Sequence, residues 1–294
     1  MIDRRAALLL AGAGVAASAC AAPAGQTEAN VQASLAGYAA NVESWYLDTP
    51  FLERFDRAAR DGFTHVEMWG VDGEGRGPEA VGKAARDAGV NIIQIVGGAP
   101  ELAQARNRQK WLDACACTVE VCDALDCEIA TIVGHNNVDG ISKADSLKTY
   151  AEHMAAAAPV FEAANVFAAI EPFNPYDHPG HFVYGSADAA AMVRAIGSDF
   201  VKLNYDLFHM QRHEGELIGN LKRHAETICY VQLADAPDRG QPGTGDVNYA
   251  RVIQQVRVGG YDKPIGLEFW AKDGDYVQAV ADMLALSRAV EALS

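Results

Sequence analysis

From Tyr38 to the C-terminus, short apolar or β-branched runs alternate with longer stretches of helical period, and Gly, Pro, Asp or Asn stand at the junctions. The pattern predicts strands over Tyr38–Trp45, Thr64–Trp69, Asn91–Val96, Glu128–Val133, Val166–Glu171, Val201–Tyr205, Thr227–Leu233 and Pro264–Phe269. Between them it predicts helices over Pro50–Asp61, Pro78–Ala88, Asn107–Leu125, Ser142–Ala164, Ser186–Ile196, Glu214–His224, Tyr249–Val258 and Asp275–Ala292. Pro50 and Pro78 fall near helix starts, where a missing N–H is harmless. Gly62, Gly89 and Gly259 follow helix ends, where glycine closes the last turn. Strict strand–helix alternation implies a parallel sheet. Eight such units in one domain, at the usual length of ~250 residues, imply an α/β fold of the (β/α)8 TIM barrel type. A doubly wound open sheet would share the alternation, but no Gly-x-Gly-x-x-Gly joins a strand to a helix here.

The pattern begins late. Residues 1–36 read instead as an export signal and linker, leaving 37–294 for the barrel. Arg4-Arg5, an apolar stretch from Ala6 to Ala19, and Cys20 after Ala17-Ser18-Ala19 resemble a twin-arginine or lipoprotein leader. The chain is therefore expected to be exported, either periplasmic or held at the cell envelope by lipid on Cys20. No second apolar run reaches membrane-spanning length.

Composition narrows the partners. Half of the 294 residues are hydrophobic, which excludes a disordered chain, and the formal net charge is −15. That acidity argues against nucleic acid or an anionic membrane as the principal partner. A small molecule is the expected one, and a homo-oligomer is left open.

Catalytic groups of such a barrel sit at the C-terminal ends of its strands. From the fifth predicted strand onward those ends carry Glu171, Asp206, Gln232 and Glu268, each a polar residue in an apolar run. A buried, unpaired carboxylate is expensive, so three of them converging call for a cation. Three carboxylates and an amide oxygen form a hard donor set suited to Mg²⁺ or Mn²⁺.

At these positions the chain resembles the hydroxypyruvate isomerase family, within the xylose-isomerase-like barrels. The matching stretches include Ile170-Glu171-Pro172-Phe173-Asn174, Val201-Lys202-Leu203-Asn204-Tyr205-Asp206-Leu207-Phe208-His209, Val231-Gln232-Leu233-Ala234, Pro237-Asp238-Arg239 and Gly266-Leu267-Glu268-Phe269. The resemblance implies that Glu171, Asp206, Gln232 and Glu268 bind the divalent cation. It also implies that Glu171 and Glu268 are the catalytic pair that moves protons. Related sugar epimerases carry histidine where Gln232 stands, so Gln232 favours the isomerase branch. The implied activity is ketose–aldose interconversion of hydroxypyruvate and tartronate semialdehyde. The metal would hold the carbonyl and hydroxyl oxygens while a carboxylate takes the proton from carbon.

Arg239 is the candidate fork for a substrate carboxylate, and His209 the candidate hydrogen-bond donor to a ligand oxygen or the substrate. Glu67 either orients a polar group in the barrel or forms a structural ion pair. The loop Gly240-Gln241-Pro242-Gly243 replaces the family's His-Glu-Pro, and Gly134-His135-Asn136-Asn137 adds polar groups to the mouth. With the leader, these departures keep two alternatives: an exported sugar or keto-sugar epimerase or isomerase, and a non-catalytic periplasmic sugar-binding barrel. Cys115, Cys117, Cys122 and Cys127 lack the spacing of a metal site and read as small core residues, with a disulfide as the alternative. His178, His181, His213 and His224 read as loop or surface residues. Trp45, Tyr46, Trp69 and Trp270 are either core packing or a sugar-stacking wall.

Overall fold

The computed structural model describes residues 34–293, apart from 72 and 74. The leader, the linker up to residue 33 and Cys20 lie outside the described residues. Eight parallel strands close in sequence order into a barrel, β1 pairing with both β2 and β8. They are β1 (Tyr38–Asn41), β2 (His65–Glu67), β3 (Asn91–Val96), β4 (Ile129–Ile132), β5 (Phe167–Ile170), β6 (Val201–Asp206), β7 (Ile228–Gln232) and β8 (Ile265–Leu267). The helices are α1 (Arg54–Arg60), α2 (Pro78–Ala88), α3 (Arg108–Leu125), α4 (Lys143–Ala164), α5 (Ser186–Ile196), α6 (Leu207–His213), α7 (Leu217–His224), α8 (Tyr249–Val258) and α9 (Tyr276–Glu291). The expected (β/α)8 barrel is thus the observed fold. No helix among the described residues is long and apolar enough to cross a membrane.

Strand parity explains the two cores. Ala39, Ile93, Ile129, Ala169 and Tyr230 form a small cluster with Cys229, separate from the large core that holds Ala40, Ile92, Ala130, Ala168 and Val231. Successive side chains on a strand face opposite sides, so the small cluster fills the barrel and the large one packs strands on helices. Counting two residues on from Ala169, Asn204, Tyr230 and Gly266 reaches Glu171, Asp206, Gln232 and Glu268. All four therefore share the parity of the barrel interior.

Several elements are shorter than expected. The first strand stops at Asn41, because the Asn41 carboxamide oxygen accepts the N–H groups of Glu43 and Ser44 and turns the chain. Trp45 then sits in a turn, fully buried, with its indole N–H donating to the Leu267 carbonyl at 3.0 Å. The helix expected over Glu214–His224 is observed as α7, starting three residues later at Leu217. An unforeseen α6 follows β6 without a loop, since Asp206 ends the strand and caps the helix, its Oδ1 accepting from Phe208 N at 2.8 Å. Gly215 and Glu216, both at positive φ, then break the path before α7. Cys115, Cys122 and Cys127 are buried, as expected for small core residues, whereas Cys117 is exposed; all four are free thiols. His224 proves buried rather than superficial, beside Arg194.

Candidate active site

The ends of β5 to β8 bring the four expected residues to one mouth. Glu171 and Glu268 stand one residue past their strands, Asp206 and Gln232 at the last strand position, and all four are buried. Arg239 comes from the loop after β7. That loop is fixed by Asp235, whose carboxylate accepts the backbone N–H groups of Gly243 (2.9 Å), Gly245 (3.0 Å) and Val247 (3.3 Å). Arg239 Nη2 lies 3.2 Å from Asp206 Oδ2 and 3.1 Å from Glu268 Oε2. Its guanidinium carbon sits 5.0 Å from the Phe208 ring centre and 5.6 Å from that of Trp270. Arg239 is thus in the site, as expected, but its Nη2 engages the acids themselves. Its buried Nε has no hydrogen-bond partner among the described residues.

His209, on the first turn of α6, points Nε2 at Glu171 Oε1 (3.7 Å) and Asp206 Oδ2 (3.5 Å). Glu171, Asp206 and His209 can offer donor atoms within 4.8 Å of one another. Trp69, just past β2, donates its indole N–H to Glu268 Oε1 at 2.8 Å. Its ring lies 6.3 Å from that of Trp270, and both are partly exposed at the rim. The aromatic set therefore divides: Trp45 and Tyr46 are core, while Trp69 and Trp270 stand at the rim of the mouth.

Below the mouth lies a polar floor. Gln232 donates Nε2–H to Glu67 Oε2 (3.1 Å) and accepts at Oε1 from Asn204 Nδ2 (2.5 Å). Glu67 also accepts from Tyr230 Oη (2.6 Å) and from Asn41 Nδ2 (3.1 Å). Of the two expectations for Glu67, the orienting role is the observed one; its partners are neutral donors and no cation contacts it among the described residues. Burial pushes Glu67 up to about 8, and the charge of Glu268 adds to the push.

The electrostatics favour a cation. Burial lifts Glu171 well above the ordinary carboxylate range, and the charges of Glu268 and Asp206 lift it further. Burial also raises Asp206 to about 6, although Arg239 pulls the other way. His209 is held well below its ordinary value, first by burial and then by Arg239, so it adds no compensating charge. Three buried acids thus share one guanidinium. A carbonyl oxygen carries two lone pairs, so Gln232 Oε1 retains acceptor capacity beyond its bond to Asn204. Three carboxylates and this amide oxygen fit a hard divalent cation in chemistry and in charge.

The sequence did not single out Asn174, Tyr230 or Asn204, nor the hydrogen bond from Trp69. The available signal was polarity inside apolar strands, which Tyr230 and Asn204 share with the four ligand candidates. His178 and His181 are on a loop, as expected, and that loop flanks the mouth. His178 stacks on Phe173 at 4.2 Å, and His181 Nδ1 lies 3.1 Å from His135 Nδ1. His135, fully buried, donates from Nε2 to the Glu171 carbonyl oxygen at 2.9 Å.

Burial, and then the neighbouring His181, lower His135 from 6.5 to about 3. The unfolded chain therefore binds this proton at a higher pH than the folded one. The associated stability is full above about pH 6.5 and lost on acidification towards pH 3, by up to about 1.4 kcal/mol per pH unit. Urea unfolding of wild type and His135→Gln between pH 7 and 4 should show the steeper fall in wild type. Parallel curves would contradict this reading.

Comparison with known proteins places these features. The model of the xylose isomerase-like TIM barrel family matches residues 55–289. Hydroxypyruvate isomerase of Escherichia coli is 29% identical over 239 residues, covering 79% of this chain and 92% of that protein. The 2-oxo-tetronate isomerase of Cupriavidus necator is 30% identical over 246 residues, covering 81% and 94%. Among solved structures, AP endonuclease, family 2, from Brucella melitensis superposes with a TM-score of 0.74 at 23% identity, covering 79% of this chain and 92% of that one. That last likeness is one of fold.

Proposed function

This chain belongs to the xylose isomerase-like TIM barrel family and is an isomerase, and on that premise we propose that it interconverts an α-hydroxy ketone and an α-hydroxy aldehyde, with hydroxypyruvate and tartronate semialdehyde as the pair. The observation that carries the reading is the convergence of Glu171, Asp206, Gln232 and Glu268 on one mouth with Arg239 as the cation between them. Glu171, Asp206, Gln232 and Glu268 would hold Mg²⁺ or Mn²⁺, which supplies charge stabilisation for the two oxygens of the hydroxy-carbonyl group.

The protein's own groups do the rest. Glu171 and Glu268 take a proton from one carbon and return one to its neighbour. Trp69 fixes Glu268 through its indole N–H, so the carboxylate meets the substrate in one orientation. Arg239, whose side chain is 15% exposed beside Asp206 and Glu268, would meet a substrate carboxylate, which favours a 2-oxo or 3-hydroxy acid over a neutral sugar. Trp69 and Trp270 stand side by side at the rim, where they would flank a bound substrate.

A keto-sugar is the second reading, favoured by the same Trp69–Trp270 wall, whose faces suit a longer polyol. Arg4-Arg5 and Cys20 support export of either version. Solvent-deuterium incorporation separates the readings. Purified protein with Mn²⁺ or Mg²⁺ should wash deuterium into hydroxypyruvate. Exchange confined to ketoses would replace the first reading by the second. No exchange with any of them would remove both and leave a binding barrel.

A further inference from the structure

Asn174 lies three residues past Glu171 and is fully buried. Its Oδ1 accepts the backbone N–H groups of Tyr176 and Asp177, both at 3.0 Å. A backbone N–H only donates, so this arm of the carboxamide is the oxygen, and Nδ2 is the other arm. Nδ2 lies 2.7 Å from His209 Nδ1. An amide NH₂ has no lone pair to give, so His209 Nδ1 must accept. The ring proton is then on Nε2, the atom facing Glu171 and Asp206.

We propose that Asn174 is a positioning residue that locks His209 in its neutral Nε2–H tautomer, making His209 a donor into the site and barring it from the metal ligands. Both ring nitrogens are accounted for, one by Asn174 and one by its own proton. A metal needs a bare nitrogen, and His209 has none to offer. At 3.5 and 3.7 Å the Nε2–H stands beyond normal hydrogen-bond length from both carboxylates, so it is free for an oxygen of the substrate. Phe173 at 5.1 Å, His178 at 5.1 Å and Phe208 at 5.5 Å between ring centres box the imidazole in. The ring therefore cannot flip to exchange its nitrogens without displacing them. The tautomer follows from the hydrogen bonds alone; its value in turnover rests on the isomerase reading above.

The test uses the full chain labelled with ¹⁵N-histidine, with His209→Gln identifying the His209 signals. Long-range ¹H–¹⁵N correlation of wild type should show a protonated Nε2 and a bare Nδ1. In Asn174→Asp the side chain accepts where it donated, so the pattern should invert while Tyr176 and Asp177 keep their acceptor. With the donor turned away, kcat should fall about 10- to 100-fold, the scale of one hydrogen bond to a charged centre. Mn²⁺ titration of His209→Gln should give an affinity within about threefold of wild type, since ligand-orienting contacts matter by more than that. A wild-type Nδ1–H, an unchanged pattern in Asn174→Asp, or loss of Mn²⁺ affinity in His209→Gln by about 100-fold would overturn the proposal. Inactivity of wild type towards every substrate, with the Nε2–H tautomer in place, would count against the function and leave the tautomer standing.

Discussion

Glu268→Gln and Glu171→Gln should each lower turnover by about 10²- to 10⁴-fold, the usual contribution of a positioned acid or base. The argument rests on what each amide retains. Gln at 268 still presents an oxygen to the Trp69 indole N–H, so the side chain stays where it was. It loses the charge that faces Arg239 Nη2 and the ability to take a proton. Gln at 171 removes a carboxylate that burial and two acidic neighbours already disfavour in its charged form. Neither change leaves a cavity, and melting temperatures should stay within about 4 °C of wild type, a shift of roughly 1 kcal/mol or so. Steady-state kinetics with thermal unfolding checks both halves. Near-normal turnover in either variant would sink the two-glutamate mechanism, and unfolding of either would void the comparison in favour of a structural role.

Gly266→Ala should be the most damaging single substitution in the polar floor. A Cβ at this position would stand 2.2 Å from Glu67 Oε2, 2.6 Å from Glu67 Cδ and 2.6 Å from Tyr230 Oη. Neither partner can step aside. Glu67 is held by Asn41, Tyr230 and Gln232, and Tyr230 is itself fully buried. Overpacking of this kind destabilises by about 1–3 kcal/mol or more in a well-packed interior. Here it also breaks hydrogen bonds to a buried carboxylate, so about 3 kcal/mol or more is expected, or roughly 6–12 °C in melting temperature. Glu67 hydrogen-bonds Gln232, so on the proposed ligand role of Gln232 the affinity for Mn²⁺ should fall with stability. A variant that melts within about 2 °C of wild type would show that the floor is loose and that Glu67 does not hold Gln232.

Much of this was legible beforehand, for a physical reason. A βα unit is a local object: its strand, helix and turn residues are contiguous, so eight of them could be read one by one. The site candidates were legible because a polar side chain at an interior parity position of an apolar strand needs a partner to offset its burial. Asp206 shows the limit. It belongs to a strand and to a helix cap at once, and a pattern that assigns each residue to one element missed α6 entirely. Glu67 shows another. Its partners Tyr230 and Gln232 are more than 160 residues away in the chain, separations of 163 and 165, so its hydrogen bonds left no trace in local pattern. His178 and His181 read as loop residues because they are on a loop; only the fold turns that loop over the mouth. Arg239 was read only as a fork for a substrate carboxylate; its pairing with Asp206 and Glu268 depends on a backbone path set by Asp235.

The groups proposed to handle protons, Glu171 and Glu268, and their neighbours Asp206, Gln232 and Arg239 come from one arc of the barrel, β5 to β8 and the loops after them, whereas Trp69 and His135 reach in from beyond β2 and β4 to hydrogen-bond that arc. Division of labour between two halves of one chain follows from that layout. Loops on the first half can lengthen, shorten or change polarity and so alter which substrate fits, with no loss of an acid from the second half. Drift in which molecule fits and preservation of the acidic arc are thereby separable in this barrel, so an isomerase built this way can change its substrate without rebuilding its acids.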